Sequence, residues 1–353
     1  VTYTFVRRAV FAIVLAGGAA LTACGGNMSV PPPTGVTKPT PTPTPTIAPV
    51  AYTAIGASDA VGYGASIPCA NPPVVSTPTC LNLTGTGYVP DIARGLVSAG
   101  HAVTLDDLGI SGAVLGPDIL KVGNMFGSVT GSHPCTPRTG SDVIPADFIT
   151  NELPNVPANS TLITIFAGGN DTNAIVNAAV CLTLGGASTA QVTAFVNTEV
   201  AAFGIDLQTL LTELAAKTTN HAEIVVADLP NFANLPFATG GLPGLTPEPT
   251  AVRDLLAGVS VTGIDQGVYE TAAQMGVPTV DLLCDPKAYL PANYYTDGFH
   301  PNDAGYALFA QKYLAVIAAK APPLPSFTCS ETSVSARRAD AAPPRPLPNF
   351  EPR

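Results

Sequence analysis

Four short polar clusters in this sequence have the residue types for nucleophilic catalysis: Gly56-Ala57-Ser58-Asp59, Gly109-Ile110-Ser111-Gly112, Gly168-Gly169-Asn170-Asp171, and Asp297-Gly298-Phe299-His300-Pro301-Asn302. Taken singly, each has an ordinary reading. Ser58 caps a turn or helix, the Gly168–Asp171 run makes a tight turn, His300 is a surface residue before a proline, and Gly112 permits close packing. Taken together they supply the parts of a serine hydrolase. Ser58 is a nucleophile in need of a base, and His300 is the one histidine inside an acidic, proline-bounded loop. Asp297, three residues earlier, is close enough within a turn to hold the imidazole in one tautomer. The backbone N–H groups of Ser58 and Gly112 and the side-chain amide of Asn170 would then form an oxyanion hole, where removing one donor typically costs roughly 3–4 kcal/mol.

The elements around these clusters have one pattern. Residues 50–55, 103–108, 161–166, 222–229 and 277–283 read as short, continuously apolar strands. Residues 88–100, 188–216, 251–275 and 302–319 read as helices, with interruptions expected near Gly204, Gly258 and Gly263. Apolar strands alternating with helices indicate a parallel sheet covered on both faces. Ligands bind beyond the carboxyl ends of such strands, and three clusters directly follow a strand while the fourth precedes the last helix.

The order and content of the clusters resemble the four blocks of the SGNH (GDSL-type) hydrolase family, carried here by Ser58, Gly112, Asn170 and His300. The FAGGND (166–171) and DGFHPNDAGY (297–306) segments are specific matches, Gly112 is the softest, and the resemblance spans nearly all of residues 51–320. It implies an α/β fold, a flavodoxin-like three-layer α/β/α sandwich around a parallel sheet of about five strands. It also implies a covalent acyl-enzyme, with Ser58 attacking, His300 acting as base and then acid, and Asp297 orienting it. Members of the family are esterases, lipases, thioesterases and carbohydrate deacetylases, and no metal or organic cofactor is required. The first block departs from the usual Gly-Asp-Ser-Leu: Ala57 and Asp59 occupy its second and fourth places. An inward-pointing Asp59 would oppose oxyanion formation, so it is expected to face solvent or cap a following helix. The G-x-S-x-G elbow is absent, and no Gly-rich dinucleotide fingerprint follows a strand. Gly62 and Gly64 are read as loop positions leading into a helix.

The ends read as export and tether. Residues 1–24 form a signal segment: Arg7 and Arg8, a short apolar run, then Leu21-Thr22-Ala23-Cys24, which resembles a bacterial lipobox with Cys24 as the lipidated residue. An uncleaved anchor or an ordinary secretory signal is the alternative. Residues 25–50 repeat Thr-Pro and form a semi-rigid stalk that holds the domain about 60 Å from its anchor. Residues 51–329 are the folded domain and 330–353 a disordered tail. The expected location is the bacterial cell envelope, outside the cytoplasm and lipid-anchored to a membrane, as a monomer.

The domain carries 8 Lys+Arg against 22 Asp+Glu, which offers no basic footprint for nucleic acid. No apolar run beyond the N-terminus is long enough to span a bilayer. Apart from Cys24 there are six cysteines, Cys69, Cys80, Cys135, Cys181, Cys284 and Cys329. An even number in an exported chain suggests three disulfides, with buried free thiols as the alternative. Local spacing favours Cys69–Cys80 and Cys284–Cys329, leaving Cys135–Cys181. The histidines at 101, 133, 221 and 300 are too dispersed for a structural zinc site.

The substrate is expected to be a small-molecule, lipid or glycan ester. The long Pro/Gly-rich connections 64–87 and 116–145 are candidates for the binding walls. Met125 and Phe126 are candidate acyl-pocket residues, and Tyr294 and Tyr295 are placed to stack on a sugar. A binding or structural lipoprotein that kept the fold without the chemistry is the competing reading, disfavoured because all four block residues are present.

Overall fold

The computed structural model describes residues 47–69, 80, 83–127, 135–219, 221–326 and 329. The signal segment with Cys24, most of the stalk, His133 and the tail lie outside the described residues. Five parallel strands form one sheet: β1 (Val50–Gly56), β2 (Val103–Asp107), β3 (Leu162–Phe166), β4 (Glu223–Ala227) and β5 (Thr279–Val280). Their order is β2-β1-β3-β4-β5, the flavodoxin-like order expected. The run Leu-Ile-Thr-Ile-Phe in β3 is buried throughout, as suits a strand covered on both faces.

Helices α1 (Tyr88–Ser98) and α7 (Asp303–Ala319) pack together on one side of the sheet. The opposite layer contains α2 (Pro117–Phe126), α3 (Gly169–Leu184), α4 (Thr189–Lys217), α5 (Thr250–Val259) and α6 (Gln266–Met275). The three-layer α/β/α sandwich is therefore complete. Aromatic rings fill the space beneath α1 and α7. Tyr88 stacks on Tyr313 at 5.5 Å, and the Tyr313 hydroxyl donates to the Ile165 carbonyl at 2.7 Å.

Some elements differ from the sequence reading. Helix α4 runs unbroken through Gly204, because 29 residues of otherwise good helix formers absorb one glycine. Residues 250–275 are also continuous. The interruption at Gly258 and Gly263 is a π-helical stretch, Ser260–Asp265, in which Gly263 allows Val200 of α4 to approach. Helix α2 lies inside the 116–145 stretch expected to be a loop, and its Pro117 occupies the first helical turn, where no amide is needed. Helix α3 begins where a tight turn was expected. Its residues Asp171 to Cys181 are all buried, so no polar face gives the segment a 3.6-residue period.

The sulfurs pair as Cys69–Cys80, Cys135–Cys181 and Cys284–Cys329, as the spacing suggests. No described helix is long and apolar enough to cross a membrane.

Candidate active site

The strand order places the clusters together. β1 lies between β2 and β3, with Ala54 opposite Asp107 and Gly56 opposite Phe166. The chain therefore leaves the carboxyl ends of three neighbouring strands side by side, with Ser58 in the middle. The nucleophile turn closes tightly: Ala60 N–H donates to the Ala57 carbonyl at 3.0 Å and Tyr63 N–H to the Ser58 carbonyl at 2.9 Å. Residues 57–67 form turns and bends, in which Gly62 and Gly64 both take positive φ.

A relay runs to Ser58 from the loop before α7. His300 Nε2 lies 2.9 Å from Ser58 Oγ, and His300 Nδ1 lies 2.7 Å from Asp297 Oδ2. The other Asp297 oxygen accepts the backbone N–H groups of Phe299 and His300 at 2.9 and 3.0 Å. Burial alone would raise the pKa of Asp297, but the hydrogen bond and charge of His300 and the two backbone donors outweigh it, and the carboxyl is held below its usual range. An ionised carboxylate only accepts, so Nδ1 carries the proton and Nε2 presents its lone pair to the serine hydroxyl.

The loop itself is fixed in place. The Asn302 side chain caps α7 by accepting from Ala304 and Gly305, and donates to the Ala292 and Tyr294 carbonyls. Tyr295 N–H donates to the His300 carbonyl at 2.8 Å. The His300 ring is buried between Tyr63, at 4.4 Å, and Phe299, edge-on at 4.9 Å.

Ser58 and Asn170 line one small cavity with Ala57, Ala113, Gly169 and Phe299. Asn170 starts α3 after Gly168, whose φ of 106° makes the turn out of β3. Its side-chain amide donates one N–H to the Ala113 carbonyl at 2.9 Å, which orients the group and leaves the second proton available. Gly112, at φ 83°, precedes Ala113 on the same wall. Neither the Ser58 nor the Gly112 backbone N–H is taken by another described residue.

Two buried carboxyls brace the same loops and escaped the sequence reading. Glu152 Oε2 accepts the Gly56 N–H at 3.0 Å, and Ile110 N–H donates to the Gly56 carbonyl at 3.0 Å, tying the first block to the second. Asp171 Oδ1 accepts the Leu115 N–H at 2.9 Å, tying the third block to the second. Burial pushes Asp171 up to about 7 and Glu152 well above its ordinary value. Asp171 directly follows Asn170, and that adjacency was the available signal. Nothing local marks Glu152.

Three expectations about neighbouring residues are corrected. Asp59 does not face solvent or cap a helix. It is half-buried and lines both the Ser58 cavity and the pocket beside it. Burial and the charge of Asp297 raise its carboxyl, while His300 and a hydrogen bond with Tyr306 lower it, leaving a net rise. Residues 57–67 form turns and bends, so Asp59 has no helix N-terminus to cap there, and its side chain lines the cavity. Met125 and Phe126 are not acyl-pocket residues. Met125 is exposed, Phe126 packs against Phe195 at 5.9 Å, and neither lines the Ser58 cavity or the pocket beside it. Tyr294 is buried, with its hydroxyl bonded to the Ala288 carbonyl, so only Tyr295 is open to a ligand. Among the described residues, one cluster has metal-ligand types, Cys69, Cys80 and Asp107, and its two sulfurs are bonded to each other.

The family model described as GDSL-like Lipase/Acylhydrolase matches residues 54–308. No curated protein matches the sequence. Among solved structures, phospholipase A1 from Streptomyces albidoflavus NA297 is 21% identical over 77% of this chain and 100% of its own, with a TM-score of 0.47. An extracellular lipase from Streptomyces rimosus is 17% identical over 77% and 100%, with a TM-score of 0.45. A lipase from a goat rumen metagenome is 16% identical over 75% and 96%, with a TM-score of 0.44. These likenesses are too distant to inform the choice of substrate.

Proposed function

The chain belongs to the GDSL-like lipase/acylhydrolase family and is a serine ester hydrolase, and from that premise we propose Ser58 as its nucleophile, His300 as general base and acid, and Asp297 as the residue that orients His300. The observation that carries this assignment is the unbroken Asp297–His300–Ser58 relay at 2.7 and 2.9 Å.

The reaction follows from the geometry. Ser58 Oγ attacks the ester carbonyl as its proton passes to His300 Nε2, and the negative oxygen is received by the Ser58 and Gly112 N–H groups and the Asn170 amide. The intermediate collapses, the alcohol leaves with the proton from Nε2, and the acyl group remains on Ser58. Water then enters on the same side and attacks the acyl carbonyl as it gives a proton to Nε2, and the new intermediate collapses, breaking the acyl–Oγ bond as Nε2 returns the proton to Ser58 and the acid leaves.

The catalytic unit is residues 51–329. We infer that it acts as a monomer outside the cytoplasm, tethered to a membrane through lipid on Cys24 and the Thr-Pro stalk. This inference rests on the lipobox-like Leu21–Cys24 and the stalk composition.

The test is hydrolysis of p-nitrophenyl acetate, butyrate, octanoate and palmitate by the wild type and by Ser58→Ala. Turnover in the wild type that is lost in the variant is expected. Undiminished turnover in the variant would remove Ser58 from the mechanism.

A further inference from the structure

His300 gains a positive charge each time it takes the Ser58 proton, and it does so almost out of reach of water, with 1% of its surface exposed. Asp297 meets that charge at Nδ1. Two aromatic rings stand beside the imidazole. One is Phe299, its neighbour in the chain, and the other is Tyr63, which comes from the distant segment that carries the nucleophile. The Tyr63 and His300 ring centroids are 4.4 Å apart, with their planes inclined by 57°. A cation is attracted to an aromatic ring within about 6 Å of its centroid, and more strongly where both are desolvated.

The backbone fixes Tyr63 in this position. Its N–H donates to the Ser58 carbonyl at 2.9 Å, and its own carbonyl accepts the Tyr306 hydroxyl at 2.6 Å. Tyr306 belongs to α7, the helix into which the His300 loop leads. Gly62 and Gly64 flank Tyr63 at φ 71° and 90°, where other residues would be strained. A Cβ on Gly64 would also lie 2.6 Å from the Pro301 carbonyl oxygen and 3.0 Å from the Tyr295 Cβ. Glycine there lets the nucleophile turn close onto the loop of the base. Tyr295 completes the contact, meeting Tyr63 edge-on at 6.1 Å while its N–H holds the His300 carbonyl.

We propose that Tyr63 is a positioning residue of the reaction, whose ring holds the imidazole towards Ser58 and stabilises the imidazolium that forms when Nε2 takes the Oγ proton. The proposal rests on the hydrolase reading above. In that step the Ser58 O–H bond breaks as the Nε2–H and Oγ–carbon bonds form, leaving one positive charge on His300 and one negative charge on the ester oxygen. The attraction of the ring for His300 grows as the charge develops. It therefore acts on kcat and not on the binding of a neutral ester.

The test uses the full-length protein. kcat and KM on p-nitrophenyl acetate are measured for the wild type, Tyr63→Leu, Tyr63→Phe and Tyr63→3,4,5-trifluorophenylalanine, with Ser58→Ala as background. Fluorine withdraws electron density from the face of the ring and nearly keeps its shape, so packing alone does not respond to it. Tyr63→Leu is expected to lower kcat about 3- to 30-fold with KM within about twofold. Tyr63→Phe should stay within about threefold of the wild type, and the trifluorinated ring should fall about threefold or more below Tyr63→Phe. Equal kcat for the plain and fluorinated rings, a wild-type kcat for Tyr63→Leu, or a loss in KM alone overturns the proposal while the hydrolase reading stands. If Tyr63→Leu lacks a cooperative melt, the two phenylalanine rings decide. No Ser58-dependent turnover in the wild type overturns both.

Discussion

Asn170 gives one amide proton to the Ala113 carbonyl, and in the proposed oxyanion hole that bond sets the plane in which the second proton would meet the developing charge. A donor held in advance costs no reorganisation at the moment of reaction. Asn170→Ala is therefore expected to lower kcat on p-nitrophenyl acetate by about 100- to 1000-fold with little change in KM, as initial rates would show. A matching loss through KM alone would mean that Asn170 binds the ground state instead. Asp297 acts at a distance from the substrate, through His300. Its carboxyl is held below the usual range, so it stays ionised as the pH falls to about 4, and loss of activity above that pH comes from another group. The serine, histidine and aspartate of the relay, and the asparagine that shares the Ser58 cavity, were legible because their clusters follow one another in a fixed order. Asp59 was read as outward because an inward carboxylate would oppose oxyanion formation, and the structure has it half-buried beside the Ser58 cavity.

At the scale of elements, buried acids pin the loops that leave the strands. Asp107 accepts from Gly109 beyond β2, Asp171 from Leu115, and Asp228, just beyond β4, from Leu282 and Leu283 beyond β5. Burial pushes each up to about 7, and raises the neighbouring Asp265 further. Between about pH 4 and 7 the folded chain therefore keeps protons that the unfolded chain has released, and stability falls as pH rises through that window. Each acid contributes on the order of 4 kcal/mol at most to this fall. Below pH 4 the lowered Asp297, Asp285 and Asp303 act in the opposite sense, losing their stabilisation as they are protonated. Thermal melts should place the highest Tm near pH 4–5. Asp228→Asn keeps an acceptor for the two leucine amides and can donate to the Tyr269 oxygen, so it should raise Tm at pH 7.5 by a few degrees and not at pH 4.5. An equal shift at both values would assign the effect to packing. The strands and most helices were legible from apolar runs and period. Helix α3 was not, since a helix buried on every side has no polar face to reveal its period.

For the whole molecule, the question is where the site is held. The catalytic face lies at the carboxyl ends of the strands, whereas β1 begins at Val50, at the opposite edge of the sheet, directly after the Thr-Pro stalk. The tether proposed above would join the domain at the amino end of β1, whereas Ser58 follows its carboxyl end. The domain's excess of 22 acidic over 8 basic residues favours the same arrangement, since an acidic surface is not drawn to anionic headgroups. On the proposed reading the tether serves location and not catalysis. In a bacterial host, Cys24→Ser should move the protein from the membrane fraction to the soluble exported fraction while kcat/KM on p-nitrophenyl acetate stays within about twofold, since Cys24 is far in sequence from every residue of the relay. If the wild type itself is found in the soluble fraction, Cys24 is not lipidated. If Cys24→Ser remains on the membrane, the apolar run before it is the anchor, and the stalk begins from an uncleaved segment.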